Sequence, residues 1–179
     1  MGNSFTQFSL VILFLPLFAF LIQIFFGKRL PRGGDWVSIS AIAITLLLAL
    51  SMFISMLSEY NPELRHESSF TWIDMGEFKI KLGFLIDNLT IIMLLVVALI
   101  STCTHVFSTQ YLKGDVRYSR YFGYLGLFTF SMNGIVLANN LISMYMFWEL
   151  VGVSSYLLIG HWFEKESAAN ASKKAFLTN

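Results

Sequence analysis

One carboxylate lies in the middle of a long apolar run near the end of the chain. The run is MYMFWELVGVSSYLLIG, residues 144–160, and its acid is Glu149. The sequence has no lysine, arginine or histidine within two helical turns of this residue. A charged side chain at the centre of a bilayer costs about 2.5–3.5 kcal/mol on insertion scales, so such residues usually serve a function or meet a partner on another helix. The position favours a carboxyl that takes up and releases a proton.

The residues around Glu149 suit proton transfer. Helical spacing places Tyr145, Gly152, Val153 and Tyr156 on the same face. Two phenols can hydrogen-bond a carboxylate or orient water, and a glycine leaves room for water or for a neighbouring helix. We therefore predict that Glu149 is a proton-relay acid. Two alternatives remain open, an acid that stays protonated and an acid locked to a lysine as packing glue.

Other side chains are candidates for the same proton path. His105 lies near the end of the third apolar run, Asn133 lies in the fourth, and Lys174 lies close to the end of the chain. Each also has an ordinary explanation, as an interfacial histidine, a packing amide or a lysine that anchors a helix end. His161 stands next to Trp162, where we expect it to anchor the helix at the membrane surface.

The composition is that of a membrane protein. Hydrophobic residues make up 56% of the chain and charged residues 13%, and the mean hydropathy is +0.67. A net charge of +1 argues against a nucleic-acid partner. Cys103 is the single cysteine, so no disulfide can form within the chain and no cysteine cluster can hold a metal. The sequence has no glycine-rich nucleotide motif and no histidine pair with metal-ligand spacing, so we expect no cofactor in this chain.

The elements that position these residues are long apolar helices. Five segments reach the length of about 20 apolar residues that a spanning helix needs, and a sixth helical pattern opens near Ala168. We expect the chain to be an N-terminal piece of a longer membrane protein, or a deletion product, because a helical pattern is under way where the sequence stops. The five predicted spans are Phe8–Phe26, Trp36–Leu57, Phe84–Phe107, Tyr121–Ala138 and Leu141–Phe163.

The distribution of basic residues predicts the orientation. Nine of the twelve lysines and arginines fall in the first, third and last connecting segments, which share one side of the membrane if all five segments span it. The loop 58–83 holds the other three, with five acids. The positive-inside rule then places the N-terminus outside and the basic segments in the cytoplasm or its organellar equivalent. We expect a multi-pass protein of the bacterial inner membrane, in contact with the lipid bilayer.

The outer loop carries a strand pattern. In FTWIDMGEFKIKLGF, apolar and charged residues alternate on either side of a turn at residues 74–77. This pattern predicts a small β-hairpin, either a docking surface for a neighbouring subunit or a cap over the helix ends. Asp87 follows it, and we expect Asp87 to cap the third helix rather than to bind an ion.

Four blocks of the sequence carry a family resemblance: FLIDNLTIIMLLVV, THVFSTQYLKGDVRYSRYF, LFTFSMNGIVLANNLISMYMFWELVGVSSYLLIG and AANASKKAFLTN. In this order they closely resemble the N-terminal quarter to third of subunit L, or chain 5, of NADH–quinone oxidoreductase. The resemblance covers most of residues 80–179, and the first 60 residues match only as two helices around a basic loop. It implies an all-α, antiporter-like helix bundle of about five spans and the start of a sixth.

The resemblance also implies a function. It makes the chain part of a proton-pumping membrane subunit of respiratory complex I, with Glu149 as the central relay acid and Lys174 as a less secure functional position. Electron transfer from NADH to quinone belongs to other subunits, which bind the NADH, FMN, iron–sulfur clusters and quinone. The other membrane subunits of the complex are the expected partners. The partner lysine on a later helix and the second half-channel of the family do not occur in these 179 residues.

The expected organisation has four parts. Residues 1–60 form two helices around a basic loop, 61–83 the outer loop with its hairpin, 84–163 the third to fifth helices, and 164–179 a basic loop and the start of a sixth helix. Two other functions remain open. One is a role as the antiporter-like component of a multi-subunit sodium–proton antiporter, and the other is a membrane scaffold without transport.

Overall fold

The described part of the protein is a bundle of six α-helices with one β-hairpin at one end. The computed structural model describes residues 2–76 and 78–179. The helices are α1 (Gly2–Phe26), α2 (Asp35–Ser58), α3 (Asn88–Tyr111), α4 (Tyr118–Leu137), α5 (Leu141–Ile159) and α6 (Glu166–Thr178). Strands β1 (Arg65–Met75) and β2 (Phe78–Asp87) pair antiparallel between α2 and α3. The predicted all-α membrane bundle with a small hairpin is therefore confirmed.

Four helices are long and apolar enough to cross a membrane. Within the described residues these are the segments Ser4–Arg29, Pro31–Ser58, Asn88–Tyr111 and Leu141–Trp162. The remaining predicted span, α4, is a helix of 20 residues that does not reach the same hydropathy. Glycine, serine, threonine and asparagine replace large apolar residues along it, because α4 packs against α1, α3 and α5 rather than against lipid.

Helix α4 approaches its neighbours closely at glycines. A Cβ atom at Gly126 would lie 2.9 Å from the carbonyl oxygen of Pro16 in α1. A Cβ atom at Gly134 would overlap the ring of Phe147 in α5. Small residues allow this kind of backbone approach in membrane bundles. The short link of three residues, 138–140, makes α4 and α5 an antiparallel hairpin, as the sequence predicts from Asn139 and Asn140.

The β-hairpin caps one end of the bundle. Asn140 donates through Nδ2 to the carbonyl oxygen of Lys81 at 2.8 Å, and Asn139 donates to Glu67 Oε1 at 3.0 Å. The ring of His66 faces Phe5 at the start of α1, with 6.4 Å between ring centroids. The hairpin therefore binds the ends of α1, α4 and α5 together. Of the four predicted turn residues, Glu77 lies outside the described residues.

The start of the third helix differs from the prediction. The segment 84–87 continues β2, where Phe84 pairs with Ser68 and Asp87 with Arg65, so the predicted boundary at 84 falls inside a strand. An apolar stretch such as Phe84–Ile86 fits either element, and the cross-strand pairing decides in favour of the strand. Helix α3 begins one residue after Asp87, whose Oδ1 accepts a hydrogen bond from the Thr90 N–H at 2.7 Å. The predicted capping role of Asp87 is confirmed.

The three basic connections meet at the opposite end. Arg117, between α3 and α4, donates through Nη1 to the carbonyl oxygen of His161 after α5, at 2.6 Å. Tyr118 donates its hydroxyl to Asp35 Oδ2 at the start of α2, at 3.0 Å. The side chain of Asp35 is buried and pairs with Arg32 at 3.1 Å. The first, third and last connections therefore share one end of the bundle, called here the basic end.

Candidate functional site

Glu149 lies near the middle of α5. It is eight residues after Leu141, which is about 12 Å along the helix at about 1.5 Å per residue. Its side chain is exposed on the outer face of α5 within this bundle, and so are Tyr145, Val153 and Tyr156. The side chains of Tyr145 and Glu149, one turn apart, interact. Among the described residues, no cation lies within ion-pair distance of Glu149.

Helix α6 packs beside Glu149 and approaches α5 at a glycine. A Cβ atom at Gly152 would lie 2.5 Å from Asn179 Nδ2, and this amide donates to the carbonyl oxygen of Trp148 at 3.2 Å. The predicted space at Gly152 is thus occupied by the Asn179 side chain. Nearer the basic end, the Phe176 ring lies edge-on to the Tyr156 ring, with 6.0 Å between their centroids.

The way α6 packs along α5 fixes the positions of Lys173 and Lys174, the two lysines of α6. Ser172 is close to Gly160, and Phe176 faces Tyr156, so residue 174 lies at about the level of Leu158. Lys174 is therefore about nine residues of α5 from Glu149, or about 13 Å along the axis. The structure does not bring Lys174 and Glu149 together. Both lysines belong to the second half of α6 rather than to the connecting loop or the opening turn.

A cavity lies at the basic end, beside the last turns of α5. Its volume is about 250 Å³, and its lining includes Arg117, Arg120, Tyr156 and Lys173. Tyr156 thus connects the Glu149 face of α5 to a cavity whose charged lining residues are basic. The structure brings Lys173, rather than the predicted Lys174, to this cavity.

The two other path candidates are buried in the bundle. His105 is 1% exposed, so it does not sit at an interface as the sequence suggests; its Nδ1 donates to the Ser101 carbonyl oxygen at 2.8 Å. Asn133 is fully buried, and its Nδ2 donates to the Ile12 carbonyl oxygen in α1 at 3.0 Å. Both are separated from Glu149, because they lie between α4 and its neighbours α3 and α1.

His161, which the sequence predicts to anchor the helix at the membrane surface, is buried at the end of α5. Its Nε2 lies 3.4 Å from Asp115 Oδ1, and Asp115 Oδ2 accepts a hydrogen bond from the Trp162 indole at 2.9 Å. The sequence does not predict this cluster of Asp115 and His161 at the basic end, since the two residues are far apart in the chain. The only local signal in the sequence is Trp162 next to His161, and it indicates no more than a position at the membrane surface.

No metal-binding cluster appears in the part of the chain that the structure describes. In residues 2–76 and 78–179, no three histidine, cysteine, aspartate or glutamate side chains form a group that could hold a metal ion. The chemistry that the described side chains support is proton transfer through carboxyl, imidazole and hydroxyl groups.

Two protein families match the chain. Residues 72–122 match the N-terminus of NADH-ubiquinone oxidoreductase (complex I) chain 5, and residues 138–179 match the transmembrane family of NADH:quinone oxidoreductase and Mrp antiporters. The second match contains Glu149 and all of α5 and α6.

Several curated proteins are similar over almost the whole chain. The F(420)H(2) dehydrogenase subunit L of Methanosarcina mazei is 41% identical over 96% of this chain and 25% of its own length. The chloroplastic NAD(P)H-quinone oxidoreductase subunit 5 of Physcomitrium patens is 42% identical over 92% of this chain and 24% of its own. The NADH-ubiquinone oxidoreductase chain 5 of Cryphonectria parasitica is 40% identical over 95% and 26%. The chain spans about a quarter of the length of these relatives.

A solved structure has the same fold. A chain of the membrane-bound sulfane sulfur reductase, an archaeal respiratory membrane complex, superposes with a TM-score of 0.77. The match covers 96% of this chain and 34% of the other, at 16% sequence identity. The bundle and its membrane-capable helices define a helical membrane protein. Together with the family matches, they show that the chain belongs to the chain 5, or subunit L, family of NADH:quinone oxidoreductase.

Proposed function

We propose that this chain works in the membrane arm of a proton-pumping NADH:quinone oxidoreductase, and that Glu149 is its proton-relay acid. The observation that carries the proposal is a carboxyl at the middle of a membrane-capable helix with no cation in ion-pair reach among the described residues. A charged carboxyl without a partner is costly at this depth, so the position favours a carboxyl whose proton moves on and off.

The surroundings of Glu149 support the same role. Tyr145 interacts with Glu149 and supplies a hydroxyl on one side, and Tyr156 lies two turns away and lines the cavity of the basic end. In our proposal, protons pass between that cavity and Glu149 by way of Tyr156 and water. Lys174 stands on α6 at about the level of Leu158, and in our proposal it assists as a positive charge that favours release of the proton.

Other subunits complete the activity. We propose that they bind NADH, flavin, iron–sulfur clusters and quinone, and that proton movement in this chain responds to their redox reactions. The names of the relatives differ in the electron donor, since one is an F(420)H(2) dehydrogenase. The proposal therefore concerns proton movement and not the identity of the electron donor. It makes neighbouring membrane subunits the partners of this chain.

The orientation belongs to the proposal too. The basic end holds Lys28, Arg29 and Lys113 among other cations, and we place it in the cytoplasm of a bacterium or the equivalent organellar compartment. The hairpin and the N-terminus then lie outside. Single cysteines introduced as Ser69→Cys in β1 and Ser167→Cys in α6, in a background without Cys103, test this placement.

A membrane-impermeant maleimide applied outside whole cells labels the Ser69→Cys variant, and it labels the Ser167→Cys variant only after the membrane is opened. Both positions are exposed in the bundle, so access to the membrane side decides the result. Labelling of both variants from the same side would contradict the placement of the hairpin and α6 on opposite sides of the membrane. The reverse labelling pattern would show that the orientation is opposite to the one proposed.

The central test is Glu149→Gln in the full-length protein within the intact complex. Glutamine keeps the size of the side chain and cannot release a proton, so the number of protons moved per electron in sealed vesicles falls. Glu166→Gln, at the exposed start of α6, is the matched control and leaves that number unchanged. An unaltered proton-to-electron ratio in an assembled Glu149→Gln complex removes Glu149 from the pathway.

A second candidate function is a role in a multi-subunit sodium–proton antiporter. The family match over residues 138–179 supports it, because that family includes Mrp antiporters as well as NADH:quinone oxidoreductases. The two functions differ in their partners. Purification of the full-length protein with NADH-oxidising subunits favours the respiratory complex, whereas sodium-driven proton movement without them favours the antiporter.

A further inference from the structure

A second protonatable group lies inside the bundle, away from Glu149. The Nδ1 atom of His105 lies 2.8 Å from the Ser101 carbonyl oxygen. A carbonyl can only accept a hydrogen bond, so Nδ1 carries the proton and Nε2 of the neutral ring is an acceptor. This Nε2 atom is fully buried and has no hydrogen-bond partner among the described residues. Buried acceptors of this kind are normally satisfied, often by a bound water.

Polar groups continue from His105 in both directions. Toward the outer end, Ser101 Oγ lies 3.4 Å from His105 Nδ1 and 2.6 Å from Thr129 Oγ1 of α4. Toward the basic end, Ser108 follows His105 by one turn on the same face of α3, and Ser108 interacts with Tyr121 of α4.

The polar groups reach the basic end through two aromatic side chains. The ring of Tyr121 lies edge-on to the ring of His161, with 5.1 Å between the centroids. His161 Nε2 in turn lies 3.4 Å from Asp115 Oδ1. The whole row of side chains is called here the histidine line. It consists of Asp115, His161, Tyr121, Ser108, His105, Ser101 and Thr129.

The outer part of the bundle offers further buried polar atoms without a hydrogen-bond partner within the described residues. Asn133 follows Thr129 by one turn of α4, and its Oδ1 is buried without a hydrogen-bond partner in the described part of the chain. Ser9 Oγ of α1, one turn before Ile12, is in the same situation. Buried polar atoms without partners thus recur at several levels between the basic end and the outer half.

We propose that His105 Nε2 is a water-linked proton-accepting site on a second polar path between α3 and α4, separate from Glu149. A proton arriving on water binds at Nε2 and gives an imidazolium with N–H on both nitrogens, and release of that proton to water restores the neutral ring. No other bond changes.

The groups around His105 suit a site whose charge is transient. Phe122 of α4 packs against its ring, at 6.0 Å between centroids, and Tyr118 packs on Phe122 at 4.8 Å. Beyond them, the ionisable groups on the packed elements are Tyr121 and the Arg32–Asp35 pair held by Tyr118, with Asp115 and His161 farther along the line. None of the described ion pairs includes His105. A lasting charge on the ring would therefore be uncompensated.

Two substitutions at His105 separate this proposal from a structural role. In His105→Asn, the amide Nδ2 takes the place of Nδ1 and keeps the hydrogen bond to Ser101, but nothing replaces Nε2. In His105→Phe, both nitrogens are lost. Cys103→Ser, on the exposed side of the same helix, is the matched control. All three are made in the full-length protein within the intact complex in sealed vesicles.

We expect His105→Asn to lower proton translocation at least about twofold and to change its pH dependence, because the variant has no imidazole to take up a proton. Cys103→Ser leaves both unchanged. Wild-type behaviour of His105→Asn would overturn the proposal, because a purely structural histidine needs only the Ser101 bond. If His105→Phe prevents assembly, His105→Asn alone decides.

A density map of the complete complex, at a resolution that shows waters, gives an independent check. It should contain a water within hydrogen-bond distance of His105 Nε2, and direct packing of apolar atoms on that nitrogen would also overturn the proposal. The site is independent of the proposed role of Glu149. A normal Glu149→Gln complex with an impaired His105→Asn complex rejects only the relay at Glu149, and the converse rejects only the site at His105.

Discussion

At the scale of single residues, Asp115 joins two connections that are far apart in the chain. Its Oδ1 accepts a hydrogen bond from the Arg117 backbone N–H at 2.7 Å, and its Oδ2 accepts one from the Trp162 indole at 2.9 Å. Partial burial tends to raise the pKa of this carboxyl. The hydrogen bonds and the neighbouring His161 outweigh burial and hold the pKa of Asp115 below its ordinary value.

This shift has a defined sign. A carboxyl whose pKa is lower in the folded protein contributes stability above the ordinary aspartate pKa of about 3.9 and loses it as the pH falls through the folded-state value. We therefore expect the protection of backbone amides at residues 112–118 and 160–165, measured against the intrinsic exchange rate at each pH, to be high at pH 7 and to fall below about pH 4, where the carboxylate becomes protonated. Exchange measured by mass spectrometry on the detergent-solubilised protein tests this.

Asp115→Asn should reduce the protection of these amides already at pH 7, since the asparagine side chain carries no charge to interact with His161. Asp74→Asn in the exposed hairpin turn, far from these connections, serves as the control. Equal protection of the Asp115→Asn variant and the unmodified protein at pH 7 would show that the junction does not depend on this carboxylate.

At the scale of elements, the packing of α4 on α5 depends on Gly134. A Cβ atom there would overlap the Phe147 ring, and overpacking of this kind costs about 1–3 kcal/mol. Alanine gains up to about 1 kcal/mol in helix propensity over glycine. We expect Gly134→Ala to lower the midpoint of thermal unfolding in detergent, followed by tryptophan fluorescence.

Gly123→Ala is the matched control on the same helix. Its Cβ would meet the flexible end of Ile24 at 3.2 Å, so a small movement of one side chain relieves the contact. We expect this variant to unfold near the wild-type midpoint. A Gly134→Ala variant as stable as Gly123→Ala would mean that Phe147 changes its rotamer at little cost.

The elements themselves are largely predictable from the sequence, whereas several contacts that define the sites are not. Apolar length identifies the spanning helices, and the alternation of residues identifies the hairpin, because both signals are local. Phe84 shows the limit, since an apolar stretch before a cap fits the end of a strand as well as the start of a helix. The neighbours of His105 and His161 depend on how α3, α4 and the end of α5 pack, and no local pattern encodes that packing.

At the scale of the whole molecule, the bundle has two chemically different ends. One end carries the hairpin, whose exposed surface includes Phe70 and Trp72 among charged residues. The other end joins three connections through ion pairs and hydrogen bonds, among them Arg117 to Glu164 and Arg32 to Asp35. This asymmetry was predictable from the distribution of lysine and arginine alone. The mutual contacts of the basic connections were not.

The central position of α4 also bears on how the protein is made. A segment that carries glycine, serine and asparagine at several positions gains less from lipid than the other spans when it leaves the insertion machinery. Helix α1 is synthesised earlier and offers a complementary surface at Pro16, and α5 follows after three residues. We therefore expect α4 to enter the bilayer more efficiently when α1 is already beside it, because α4 then meets protein rather than acyl chains.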